Sequence, residues 1–225
     1  AKEYLFWVLL FSFPFVVAIH TWDSADLFMH LNRGKRAWET GKLINSSSMV
    51  LQHASGMFYW IFQLLLEKLF RLLGVSGLTV LSAFTWVGVW ALLIIPFVKK
   101  IPRSVLGLWI LAGTLSCCHR INLRPEVFSY LFIAFYIYLI RKWDEEGPPK
   151  TAKALLSQSV GLSLIQVVWS GFHGYFIFGL VLIGLLAIAK AFQHKRNELE
   201  PLLFLALIVF CASNFLSWNN CHCSL

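Results

Sequence analysis

The chain has 225 residues, of which 58% are hydrophobic and only 13% charged, and its mean hydropathy is +0.70. A soluble domain carries about 25% charge, so the composition points to a membrane-embedded chain and leaves no room for a large soluble domain beside the spans. The formal net charge of +8 comes from nineteen Lys and Arg scattered among short loops; it reads as topology information, with membrane lipids as the surrounding partner and no nucleic acid.

In chain order, residues 4–22 form the first apolar span, with Trp7 and Trp22 near its ends. Residues 76–98 form the clearest span, free of charge and closed by Lys99-Lys100. Further spans follow at 101–118, 127–140, 154–170, 175–189 and 202–216. The expectation is an all-α, polytopic membrane protein with about seven transmembrane helices in a single domain. Asp144-Glu145-Glu146-Gly147-Pro148-Pro149 reads as a linker by composition. Gln166, inside a later span, reads as a polar contact within the bundle.

Basic residues set the orientation. Lys99, Lys100 and Arg103 mark one loop, Arg141, Lys142, Lys150 and Lys153 a second, and Lys190, Lys195 and Arg196 a third. Cytoplasmic loops hold the excess of Lys and Arg, which puts these three inside together with the amino terminus.

Residues 57–73 are ambiguous. They are apolar enough to cross, yet Gln63, Glu67 and Arg71 recur every four residues as a polar stripe. Burying such charges against lipid costs ~2.5 to 3.5 kcal/mol each, and a helix lying in the interface avoids that cost. We take the interfacial arrangement, which makes residues 23–75 one long external loop with two interfacial amphipathic helices. Crossing would reverse the amino terminus and put residues 23–56 inside.

The first of those helices carries the candidate chemistry. Asp23 or Ser24 can cap it, Gly41 marks its end, and Asp23, Asp26, His30 and Arg33 fall at steps of three, four and three on one face. Two carboxylates, an imidazole and a guanidinium at the mouth of a bundle suit a general base, a metal ligand or a phosphate clamp. The bland alternative is a capped surface helix with internal salt bridges. Cysteines do not change the picture: Cys117 and Cys118 are vicinal in an apolar segment, and Cys221-His222-Cys223 is too compressed for ordinary zinc spacing. Asn45-Ser46-Ser47 is a sequon that matters only in a secretory pathway.

The run Asp-x-x-Asp-Leu-x-x-His-Leu-x-x-Gly from Asp23 to Gly34 lies between a first span and a second amphipathic helix that ends in Leu72-Leu73-Gly74. Arg124-Pro125-Glu126-Val127-Phe128-Ser129 and Trp169-Ser170-Gly171-Phe172-His173-Gly174 follow. This arrangement resembles the GT-C superfamily of polytopic glycosyltransferases, including the protein mannosyltransferase and aminoarabinose-transferase types and related bacterial members. In those bacterial members the last motif reads Asn-x-His-Gly, and Gly171 stands here in the Asn place.

The resemblance implies transfer of a sugar from a polyprenyl-phosphate-linked donor at the outer face of a bacterial-type inner membrane, and it implies an amino-terminal module of a longer enzyme. By the same resemblance Asp26, with Asp23 second, is the catalytic base. If a divalent cation takes part as cofactor, Asp23 and Asp26 are its ligands. Arg120 and Arg124 are the donor-phosphate candidates, joined by His30, Arg33 and His173 as substrate-binding residues. Snorkelling at span ends is the plain alternative for the two arginines, and a turn histidine the plain alternative for His173. Glu126 reads as a helix cap. Two rivals stand beside the enzyme: a permease lined by polar residues continuing to mid-membrane, and a non-catalytic scaffold of the same layout.

Overall fold

The computed structural model describes residues 2–19, 25–41, 59–118, 123–147 and 151–192. Among them every regular element is helical and no strand occurs. The α-helices are α1 (Lys2–Ala18), α2 (Ala25–Thr40), α3 (Trp60–Ile94), α4 (Arg103–Cys117), α5 (Pro125–Glu146), α6 (Ala152–Ser170) and α7 (Ile177–Phe192), with short 3-10 turns at Ile95–Phe97 and Gly174–Phe176. The expected span at 202–216 lies outside the described residues, as do Asp23, Lys42, the sequon, Arg120 and the terminal cysteines.

The chain divides into two compact units, Ala1–Ile44 with Phe62–Phe135, and Asn45–Ile61 with Tyr136–Leu225. In the first, α1 and α4 run parallel. Glu3 pairs with Arg103 at their first turns, Leu10 packs with Leu106 and Ile110 further along, and Ala18 lies in one cluster with Cys117 at their last turns. The later part of α3 runs the other way, since its Ala83 and Trp86 meet Ala18 while Ile94 meets Leu10. Lys99, Lys100 and Arg103 therefore cluster at one end of this bundle, and Ala18 and Val127 mark the opposite end.

Helix α2 shows why a sequence of low hydrophobicity still folds. Leu27, His30, Leu31, Gly34 and Ala37 form its buried stripe at helical spacing, and Gly41 ends it with φ +66° while its N–H bonds to Ala37 O at 3.0 Å. The cap at Gly41 is as the sequence implies.

The stripe docks on the first arm of α3. A Cβ on Gly34 would land on the Gln63 carbonyl oxygen and within 2.9 Å of Glu67 Cβ, so only glycine permits the approach. The polar stripe of 57–73 is thus not turned to water as the interfacial argument supposes. Gln63 and Glu67 are both buried against α2, and Arg71 Nε donates to Glu67 Oε1 at 2.6 Å.

Helix α3 breaks at Gly74, with φ 64° and ψ −168°, a conformation essentially reserved for glycine. At 1.5 Å per residue the arm before the break spans only about 20 Å, short of the ~30 Å hydrocarbon core, whereas the arm after it is long enough. Length, rather than the polar stripe, is what distinguishes the two arms. Trp60–Phe97 is, among the described residues, the one helix long and apolar enough to cross a membrane, with Glu3–Ala18, Arg103–Cys117 and Gly174–Leu186 as shorter apolar helices.

Several helices are apolar on both their inner and outer faces. In α1, Tyr4, Leu5, Val8, Leu9 and Val16 point outward while Leu10 and Ala18 are buried. In α4, Leu108, Trp109 and Leu115 point outward, as do Ile177, Phe178, Val181, Leu185 and Ile188 in α7. Soluble proteins rarely expose such contiguous apolar faces.

In the second unit Thr151 caps α6, accepting from Ala154 N–H at 3.2 Å. The contact expected of Gln166 is found. Tyr136 O–H donates to Gln166 Oε1 at 2.8 Å, and Gln166 Nε2 donates to Phe176 O at 2.6 Å. Gly179 makes room, since a Cβ there would meet Gln166 Oε1 at 2.7 Å. Residues 144–146 depart from the linker reading: they complete α5, where Arg141 pairs with Asp144 at 3.7 Å and Lys142 with Glu146 at 4.0 Å. The helix then stops at Gly147, φ +79°. Charge spacing at i,i+3 and i,i+4 supports the extra turn, which composition alone misses.

Candidate functional site

Asp26 opens α2 and Arg124 directly precedes Pro125 at the start of α5. Proline suits that first helical position because the missing N–H has no helical partner there. These two helix starts meet at the end of the first unit opposite the Lys99-Lys100-Arg103 cluster. Arg124 Nη2 lies 3.5 Å from Asp26 Oδ2, with the side chains 34% and 55% exposed. An ion pair this long and this open is worth ~0 to 1 kcal/mol, so a ligand can separate it at little cost. Arg124 Nε is buried and has no hydrogen-bond partner among the described residues, while the side chain as a whole is 34% exposed.

His30 follows Asp26 by one turn of α2. Its ring is buried between α2 and α3, edge-on to Phe62 at 5.3 Å, and the Gln63 amide donates from Nε2 to its Nδ1 at 3.2 Å. Phe62 in turn meets Phe128 of α5 at 5.9 Å. His30 therefore joins Gly34 in seating α2, and through α2 it positions Asp26. Arg33 is half-buried on α2, at the edge of the buried stripe that holds His30. Trp38 adds a second tie, donating from Nε1 to Leu64 O at 3.1 Å under the Lys68 ammonium, 5.9 Å from its ring centroid.

His173 lies in the second unit. It is buried, accepts the Tyr175 N–H at Nδ1 at 3.2 Å as cap of the 3-10 turn, and contacts the rings of Tyr59 and Tyr175 at 5.5 and 4.1 Å. This is the turn-histidine geometry. Beside it, Gly171 packs on Ile61, whose Cγ1 would lie 2.5 Å from a Cβ at position 171, and Ile61 N–H bonds to Gly171 O at 3.0 Å. An asparagine does not fit in that place.

Asp23 and Arg120 lie outside the described residues, so the site is built here from Asp26 and Arg124. Among the described residues no group of three or more His, Cys, Asp or Glu comes together as a metal site. Gln63 and Gly34 are site-supporting residues that the sequence reading gave no such role. The signal for both was present: a glycine on the buried stripe of α2 opposite the one polar stripe of the next helix. Comparison with known protein families, with characterised proteins and with solved structures finds no match.

Proposed function

We propose that the protein is a polytopic membrane protein of about seven spans that transfers a sugar from a polyprenyl-phosphate-linked donor at the outer face of a bacterial-type inner membrane, with the amino terminus cytoplasmic. The single observation that carries the reading is the accessible Asp26–Arg124 pair at the end of the bundle opposite Lys99, Lys100 and Arg103. Outward apolar faces on α1, α4 and α7 support the membrane setting. Asp26 takes the proton of the acceptor hydroxyl, and the guanidinium of Arg124 holds the phosphate that leaves with the lipid. His30 acts through the seat of α2. The roles of Asp23, Arg120, Arg33 and His173 follow from the GT-C resemblance alone.

The test is a transfer assay with the purified full-length chain and polyprenyl-phosphate sugars. Asp26→Asn abolishes transfer while folding is retained, and Arg124→Gln raises KM for the donor. Transfer that persists in both Asp26→Asn and Asp23→Asn sinks the assignment. A cysteine placed near Lys42 reacts with an impermeant reagent from outside; labelling only from the cytoplasm reverses the orientation. The permease reading draws on one observation: Ser82, Trp86, Trp90 and Thr114 bring unpaired polar atoms into the interior of the bundle. Substrate flux that survives Asp26→Asn, with no sugar transfer in the parent chain, favours it.

A further inference from the structure

The first arm of α3, from Phe62 to Leu73, has two unlike faces. Gln63 and Glu67 lie buried against α2. The opposite face is outward and apolar apart from its cations. Leu65, Lys68 and Leu72 follow at steps of three and four, so they share that face, and Leu72 is 70% exposed. Leu73 and Val75 continue the exposed apolar surface round the break at Gly74, and Val80 and Phe84 carry it along the second arm.

Two basic side chains stand at this surface. Arg71 gives its Nε N–H to the buried Glu67, so that pair adds no net charge. Lys68 is held differently: its ammonium lies 5.9 Å from the centroid of the Trp38 ring, which is fixed in turn by the bond from its Nε1 to Leu64 O. Trp38 is itself half-exposed. An ammonium set over an indole and flanked by leucines matches the boundary of a bilayer, where the rings and aliphatic groups settle at the top of the acyl chains and the cation reaches phosphate. Water alone would leave Leu72, Leu73 and Val75 against solvent at a cost in apolar area. Hydrocarbon alone would leave the ammonium without a counter-charge. A zwitterionic headgroup brings its own ammonium beside the phosphate, whereas an anionic headgroup leaves its charge to the protein, so Coulomb attraction favours the anionic lipid.

We propose that this face of the first arm docks on the headgroup layer of the bilayer, where Lys68 takes the phosphate of an anionic phospholipid and Leu65, Leu72, Leu73 and Val75 enter the acyl boundary. Helix α2, packed on the other face of the arm, is then held one helix layer away from the lipid. The proposal rests on the membrane setting of the chain and holds whether or not the chain transfers sugars.

The test uses the full chain in nanodiscs of phosphatidylcholine, alone or mixed with phosphatidylglycerol, with lysines acetylated by a water-soluble reagent and quantified by mass spectrometry. Lys35 is the internal reference, because its side chain is exposed on α2. Relative to Lys35, Lys68 is expected to react several-fold more slowly in the discs that contain phosphatidylglycerol. Equal ratios in the two discs overturn the proposal, whether the face is bare or covered by a second copy of the chain. A chain that enters neither disc overturns the membrane setting as well, which tells the two failures apart. Inorganic phosphate that protects Lys68 in phosphatidylcholine discs assigns the site to a soluble anion and overturns the proposal too. Native mass spectrometry in detergent doped with phosphatidylglycerol gives a second measurement: Lys68→Gln is expected to weaken retention of the lipid about five-fold, the worth of one cation at an anionic surface, and Lys68→Arg to preserve it. Retention unchanged in Lys68→Gln overturns the assignment of Lys68.

Discussion

Two places in the molecule, the Gln166 amide of the second unit and the interior of α3 in the first, bury polar groups in opposite ways. In the second, Gln166 receives the Tyr136 hydroxyl and gives its own N–H to the Phe176 carbonyl, so a fully buried amide ties α5, α6 and the turn before α7 into one closed circuit. In the first, Ser82 Oγ, Trp86 Nε1, Trp90 Nε1 and Thr114 Oγ1 have no hydrogen-bond partner among the described residues, and the Asp26–Arg124 pair stays half in solvent. A closed circuit stabilises the helices it joins. A pair open to solvent is one that a ligand can separate.

Substitutions that separate stability from binding test this contrast. Gln166→Leu leaves both the tyrosine hydroxyl and the Phe176 carbonyl unpaired, at ~1 to 3 kcal/mol for each buried group; thermal melting in detergent is expected to show the largest loss here. Gly34→Ala drives a methyl into the Gln63 carbonyl and loosens the seat of α2, an overpacking cost of ~1 to 3 kcal/mol, with the His30–Gln63 bond lost in the same step. Gly74→Ala meets no neighbour, since a Cβ there has open space, but it must hold φ 64° and is expected to lose ~1 to 2 kcal/mol from backbone strain alone. Arg124→Gln is expected to change stability by less than about 1 kcal/mol, because the pair it breaks is half-exposed, while weakening binding of a phosphate-bearing ligand measured by titration. Should Arg124→Gln melt as far below the parent as Gln166→Leu, the pair is a structural pin and the contrast between the units fails.

Much of the first unit was legible in the residues themselves. Gly41 and Gly74 announced a helix end and a helix break, and both have positive φ. Asp26 and Arg124 were separate candidates nearly a hundred residues apart, and the meeting of two helix starts brings them together. What periodicity could not supply was a partner for the polar stripe at Gln63 and Glu67. A stripe read along one helix looks the same whether water or a second helix covers it, and only the glycine at position 34, opposite the stripe, distinguishes the two. His30 shows the same limit: spacing placed it on a face with Asp26, but a face of α2 is wide enough for Asp26 to remain exposed while His30 turns inward. The last turn of α5 was missed because acidic composition was weighed above the i,i+3 and i,i+4 spacing of its charges.

The parallel pairing of α1 with α4 has a consequence for how the chain is made. Glu3 and Arg103 are separated by 100 positions, and Leu10 waits for Leu106 and Ile110 over nearly the same distance. At about 5 to 20 residues per second during synthesis, α1 spends on the order of 5 to 20 seconds without the helix that covers its inner face. The newborn protein must hold its first helix in reserve until the fourth arrives, and a chain interrupted before α4 leaves that helix open to capture by chaperones or proteases.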